Sequence, residues 1–360
     1  MPTKTNTTNA ARANVSAKLY IGLDIHKRSW RVHTSTELFD GKTVSSPPSP
    51  SSLRDYVSKN YPDHEVTIAY EAGCFGYAAH RAFSSYGWRS LVVNPADISK
   101  TGKSQYQKTD TLDARLICRE LKDGRLGSIE IPTEEREQLR CLFRRRVALV
   151  KDFRAIKSRI KMQLLYLGID IPEAFDKQAK WSKAFLRWIR SQSCDYDTAT
   201  STIQSELCHY EFIDSQIKQV SNQLRAYCRK HHKKDYFLLR SVPGIGKIVA
   251  CGIISEMGDL RRFKNFKQLA SYVGLCPGVH QSGDNYRSTG MSIRGNRIMR
   301  SYFVEASWIA LRHDPVMQAY WRTHQGKDPK KILIKIARKL LSRTHAVIKT
   351  GIPYQAGVVA

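Results

Sequence analysis

Four acidic residues, Asp24, Glu71, Asp110 and Asp113, stand where the hydropathy pattern puts two strand ends and one helix start. Asp24 closes the apolar run Leu19-Tyr20-Ile21-Gly22-Leu23, which reads as a buried strand. A carboxylate there points out of the sheet edge rather than into a core. Glu71 directly follows the strand Val66-Thr67-Ile68-Ala69-Tyr70. Asp110 and Asp113 are three apart at the start of a helix, so they fall on neighbouring turns of one face. Carboxylates gathered in this way suit phosphodiester chemistry. Two divalent ions about 3.5–4 Å apart, held by hard oxygen ligands, stabilise both the entering and the leaving oxygen.

Each acid alone also has a purely structural use. Thr109 or Asp110 can cap the helix, Asp113 can favour its first turn, Asp24 can pair with Lys27, and Glu71 can cap a glycine-containing turn. Their combination is more telling, because a strand-end Asp, a strand-end Glu and an Asp-x-x-Asp helix start come in the order an RNase H-like fold requires. His26, a lone histidine, reads as structural.

The elements that must hold these residues form a mixed α/β layer. A half-exposed strand at Trp30–Thr34 follows the first, and Ser45 to Ser52 reads as a loop. Helices near 53–59, 77–86 and 112–121 then alternate with strands at 66–70 and 90–93. Residues 1–17, rich in Thr, Asn, Ala and Ser, are expected to be a disordered basic tail, and residues 18–130 the α/β domain.

From residue 131 to 235 the pattern changes to that of a helical hairpin. Leu139, Leu142, Leu149, Phe153, Ile156, Ile160 and Leu167 recur at three-and-four spacing, with Arg146 and Gln163 interrupting the seam. Ile203 to Tyr227 repeats that period, so the two helices can pair as an antiparallel coiled coil around a loop containing Gly168 and Pro172. The polar face of the first is basic: Arg144, Arg145, Arg146, Arg154, Lys157 and Lys161 carry most of it, with Asp152 almost alone among acids. A solvated face normally mixes signs, so this one is read as contacting phosphates.

Residues 236–354 read as a mostly helical third domain with a helix-hairpin-helix turn at Pro243-Gly244-Ile245-Gly246. Glycines there let backbone N–H groups approach a phosphate, with Lys247 beside them, although a packing turn between helices would look the same. Gln281-Ser282-Gly283 lies in a polar, Gly- and Ser-rich segment from Gly278 to Asn296. An exposed hydroxyl there could attack phosphorus as a covalent nucleophile, and Ser288 and Ser292 share the segment. Arg294, Arg297 and Arg300 follow it as candidate nucleic-acid contacts.

Composition bounds the partner. With 59 basic and 32 acidic residues the net charge is +27. Nucleic acid is the natural compensating polyanion, since each neutralised phosphate releases a counterion. The eight cysteines show no C-x-x-C pair, which argues against a zinc knuckle or a disulfide framework and for reduced, mostly buried thiols. No apolar run is long enough for a membrane span or a signal sequence, so a cytoplasmic protein is expected.

From Tyr20 to Pro353 the chain resembles the transposases of the IS110/IS1111 insertion sequences. The likeness rests on Tyr20-Ile-Gly-Leu-Asp-Ile-His-Lys27, Tyr70-Glu-Ala-Gly73, Val93-Asn-Pro95, Lys108-Thr-Asp-Thr-Leu-Asp-Ala-Arg115 and Pro243-Gly-Ile-Gly246. Leu269-Ala-Ser-Tyr-Val-Gly-Leu275, Gln281-Ser-Gly283 and Gly295-Asn296 continue it, while Ile293-Arg294 stands where a Lys often precedes the Gly-Asn pair. The resemblance implies a RuvC-like domain whose Asp-Glu-Asp-Asp set maps onto Asp24, Glu71, Asp110 and Asp113 and holds Mg²⁺ or Mn²⁺. It implies a C-terminal transposase domain with Ser282 as nucleophile. The implied partners are a structured noncoding guide RNA encoded by the element, donor and target DNA, and further copies of the chain as a homodimer assembling to a tetramer. No membrane partner is expected, and the enzyme would be nucleoid-associated in a bacterial cytoplasm. A nuclease using water in place of the serine, or a protein that only binds nucleic acid, would share much of this pattern.

Overall fold

A computed structural model describes residues 17–98, 110–176, 181–282, 285–292 and 294–355. The expected tail therefore lies outside the described residues, save Ala17. The chain divides into two compact units, Met1–Ile131 and Pro132–Ala360.

The first unit is built on a five-stranded sheet in the order β3-β2-β1-β4-β5. Its strands are β1 (Lys18–Ile25), β2 (Trp30–Thr36), β3 (Asp40–Ser46), β4 (Glu65–Glu71) and β5 (Arg89–Val93). β1, β2 and β3 run antiparallel in sequence, whereas β4 and β5 lie parallel to β1 and to each other. Strand alternation sorts the two faces. Leu19, Ile21 and Leu23 of β1, with Ile68 and Tyr70 of β4, pack with Leu53 and Val57 of α1 (Pro50–Asn60) and Phe83 of α2 (Ala78–Ser85). Ala69, Leu91 and Val93 face the other way, onto Ile117 and Leu121 of α3 (Asp110–Lys122). β3 was not expected from the sequence. Its stretch Asp40-Gly-Lys-Thr-Val-Ser-Ser has a single large apolar residue, and it survives as an edge strand paired on one side only.

The second unit contains the paired long helices α4 (Glu134–Tyr166) and α7 (Asp197–His231). Arg159 bonds Glu206 near one end and the Tyr227 hydroxyl donates to Glu135 near the other, so the helices run antiparallel. Leu149, Ile156, Ile160 and Leu164 meet Ile203, Leu207, Tyr210 and Leu224 along the seam. The connection is more than a loop: it carries the short helix α5 (Glu173–Asp176) and the amphipathic α6 (Lys183–Arg190), whose Phe185 and Ile189 join the core. The same core continues into α8 (Lys233–Ser241), α9 (Lys247–Gly252), a π-helical turn at Ile253–Met257, and α10 (Phe266–Val273). It also takes in α11 (Arg297–His313), α12 (Pro315–Arg322) and α13 (Pro329–Thr350).

The Gly- and Ser-rich segment forms a two-stranded hairpin, β6 (Pro277–Ser282) and β7 (Asn285–Met291). No helix among the described residues is long and apolar enough to cross a membrane. Of the eight thiols, Cys118, Cys228 and Cys251 are buried and Cys74, Cys141 and Cys208 are exposed, fewer buried than composition suggested.

Candidate functional site

Asp24 and Glu71 are brought together by strand register. β1 and β4 are parallel and paired through Leu23 and Tyr70, and one step further places Asp24 beside Glu71 on strands about 4.8 Å apart. Both belong to the face of Ala69 and Gly22, the face that α3 covers. Gly22 is what lets α3 approach. A Cβ there would stand 2.1 Å from the Ala114 carbonyl oxygen and 2.4 Å from the Cys118 nitrogen. The Cys118 thiol donates to the Tyr20 carbonyl at 3.3 Å, so α3 runs back along β1 with its N-terminus toward the Asp24 end. Asp110, four residues before Ala114, lies about 6 Å further along the helix. Asp24, two residues past Gly22, lies about 6.6 Å further along the strand. The backbone thus carries Asp110 to the level of Asp24 and Glu71, with Asp113 about 4.5 Å behind it along the helix.

Asp24, Glu71 and Asp113 are all half-buried, and the His26 Nε2 sits 3.0 Å from the Asp24 Oδ2. His26, read from sequence as structural, is therefore a neighbour of the site. The Asp110 side chain lies outside the described residues, and among those described no group of three or more His, Cys, Asp or Glu is close enough to hold a metal ion.

A second set of polar groups, missed from sequence, fixes α3 to the sheet. His33, 2% exposed, contacts the Thr43 hydroxyl at 2.8 Å and Asp40 at 3.0 Å, and Arg115 of α3 donates to the other Asp40 oxygen at 3.0 Å. The His33 hydrogen bond, helped by Arg115, holds the Asp40 carboxyl below its usual range against the opposing effect of burial. Lys122 donates to the Thr36 carbonyl at 2.6 Å at the other end of the helix. The only sequence signal was a histidine inside a strand, which is too common to single out.

In the second unit Ser282 is the last residue of β6, opposite Asn285 of β7, rather than part of a loop without regular structure. Its side chain lies outside the described residues. The chain leaving this hairpin is pinned: the Ser292 N–H donates to Cys276 O at 2.9 Å, and Arg300 donates to Ser292 O at 2.8 Å and Arg294 O at 3.0 Å. Arg300 thus shapes the segment, while Arg294 and Arg297 face solvent. Ser288 lies within β7.

The basic face of α4 divides in two. Arg144 grips the buried Glu256, Arg146 donates to the Ser221 hydroxyl at 2.8 Å and the Tyr302 hydroxyl at 3.1 Å, and Lys157 lies 4.3 Å from the Phe153 ring centre. Burial pulls the Lys157 ammonium below its usual range. Arg145 and Arg154 are exposed and Lys161 is half-buried. At the α8–α9 turn, Gly244 has φ +92°, and a Cβ on it would meet the Ala306 carbonyl oxygen of α11 at 2.4 Å. That glycine serves close packing. Gly246 and Lys247 remain exposed beside it.

An α/β unit with carboxylates at adjacent strand ends, followed by a helical unit, defines the class of the protein in outline. Residues 21–167 match a family model for the DEDD transposase of IS110 elements, and residues 236–322 match the Transposase IS116/IS110/IS902 family. The chain belongs to the IS110 family of insertion-sequence transposases. It is 28% identical to the y4qE protein of Sinorhizobium fredii over 68% of this chain and 58% of that one. It is 24% identical to the transposase for insertion sequence element IS1111A of Coxiella burnetii, over 65% of this chain and 63% of that one. Both alignments span less than two thirds of the relative's length. A pilin gene-inverting protein of Moraxella bovis is 34% identical over 39% of this chain and 44% of its own.

Proposed function

We propose that the protein is the DNA transposase of an insertion sequence, acting as a strand-exchanging recombinase. The observation that carries this is the placing of Asp24 beside Glu71 at the open end of β1 and β4, with the start of α3 folded back over Gly22 toward them. The strand order, three antiparallel strands and then two parallel ones, supports an RNase H-like, RuvC-like reading of the first unit. The turn between α8 and α9 supports a helix-hairpin-helix reading in the second.

Asp24, Glu71, Asp110 and Asp113 would hold Mg²⁺ or Mn²⁺, because clustered carboxylates are hard oxygen donors that need a cation to stay ionised side by side. Bound there, the metal would offset charge on a transferring phosphoryl group. Ser282 acts as nucleophile: its Oγ bonds to the scissile phosphorus, the bond from phosphorus to the departing sugar oxygen breaks, and the serine proton ends on that oxygen by way of solvent. The DNA end is left on the protein as a phosphoserine ester. Partners are donor and target DNA, a guide RNA encoded by the element, and further copies of the chain as a dimer assembling to a tetramer.

The test is recombination of a donor carrying the element's ends with its target, in the presence of RNA co-purified with the protein. Asp24→Asn and Glu71→Gln should abolish strand exchange in protein that melts like the wild type. Ser282→Ala should remove the detergent-stable protein–DNA adduct, and unchanged cleavage by that variant would mean that water, not the serine, attacks. Only random cellular RNA in the preparation would refute guidance.

A further inference from the structure

We propose that a cleft between α7, α8 and the start of α9, walled by Arg225, Arg229, Arg240 and Lys247, binds the sugar-phosphate backbone of DNA. The proposal deepens the DNA-acting reading above and rests on it. The cleft has a volume of about 470 Å³. One wall is a single stripe of α7, since Asn222, Arg225, Ala226 and Arg229 follow the i, i+3, i+4, i+7 spacing. Ala226 keeps the floor low between the two arginine arms. Phe237 and Arg240, one turn apart on α8, form the opposite wall, and Lys247 closes it at the first residue of α9.

Several arginines elsewhere in the unit are already neutralised. Arg144, Arg159, Arg190, Arg261 and Arg343 are each paired with a carboxylate. No acidic residue lines the cleft, and among the described residues none of its four cations has a carboxylate within 4.0 Å. Four like charges around one hollow repel each other, and a polyanion is what relieves that repulsion. Arg225 is held in place rather than swinging freely, because its Nε donates to Ser221 O at 3.1 Å and an Nη to the Asn222 side chain. Phe237, 47% exposed, adds an apolar surface beside the cations, the pairing that suits sugars and bases. Arg240 also lines the adjoining hollow beside the turn of Pro243 to Gly246, so a strand running past that turn would enter the cleft.

The experiment is salt-dependent binding of a labelled DNA duplex of arbitrary sequence, with a structured RNA hairpin in parallel. The full-length protein is compared with two double variants, Arg225→Gln/Arg229→Gln and Arg240→Gln/Lys247→Gln. Each pair should weaken DNA binding roughly tenfold at physiological salt and flatten the dependence of log affinity on log salt by about two. RNA binding should stay unchanged. Because the pairs lie on opposite walls, a folding defect in one leaves the other to decide, and thermal melts identify it. Unaltered DNA affinity and slope in a folded variant, or an equal or greater loss for RNA, overturns the assignment. Wild-type protein that binds no DNA at any salt overturns the DNA-acting reading itself and this site with it.

Discussion

Arg144 and Glu256, 112 residues apart in sequence, meet through two hydrogen bonds, Nε to Oε1 at 2.7 Å and Nη2 to Oε2 at 3.0 Å. Glu256 is 1% exposed and also accepts from the Asn296 side chain at 3.0 Å, so one carboxylate ties α4 to the start of α11. Arg144→Ala removes the nearer of two guanidinium partners from a buried carboxylate, leaving Arg140 Nε 3.8 Å from its Oε2, and should cost about 1.5–3 kcal/mol. A lower urea midpoint at unchanged m-value is the measurement, and unaltered stability with weakened DNA binding would instead make Arg144 a phosphate contact.

Gly22→Ala should be destabilising although it adds a single methyl group. The new carbon would collide with backbone atoms of Ala114 and Cys118, which cannot rotate away, so α3 must lift from the sheet. Overpacking of this kind costs about 1–3 kcal/mol. Strand exchange should fall further than stability alone explains, because Asp110 and Asp113 ride on the displaced helix. Equal activity per folded molecule would show that α3 does not position the site.

Thiol reactivity should divide the cysteines. Burial pushes the Cys118 thiol up to about 12, and its sulfur lies against Tyr20 O. Iodoacetamide at mildly alkaline pH should label Cys74, Cys141 and Cys208, which are exposed, and reach Cys118 only in denaturant. Mass spectrometry of the labelled peptides reads the order. Early labelling of Cys118 would mean that α3 opens in the native state.

Acid should weaken the first unit. The Arg125 hydrogen bond draws the Glu120 carboxyl below its usual 4.5, and the His33 hydrogen bond draws Asp40 below 3.8. The unfolded chain then binds more protons than the folded one, so this stabilisation is complete above those values and is lost as pH falls through the depressed ones. Glu120→Gln should flatten the fall of the urea midpoint below pH 4.5. A variant that keeps the full acid sensitivity would shift the cause elsewhere.

Much was decided locally and could be read from the chain. Short apolar runs fixed β1, β4 and β5, and the three-and-four spacing fixed α4 and α7, because burial of one face needs only neighbours a turn or a pleat away. The acids at those strand ends and the helix start were legible for the same reason. Pairing between distant segments was not. β3 is held by its hydrogen bonds to β2 more than by its own composition, and the β6–β7 hairpin turns a polar stretch into a ladder. The basic face of α4 looked uniform, yet Arg144 and Arg146 find their partners on α7, α11 and the π turn. Charge is a property of sequence, but which charges are already spent is set by three-dimensional neighbours. Only tertiary structure could therefore set the paired cations of α4 apart from the four around the α7–α9 cleft.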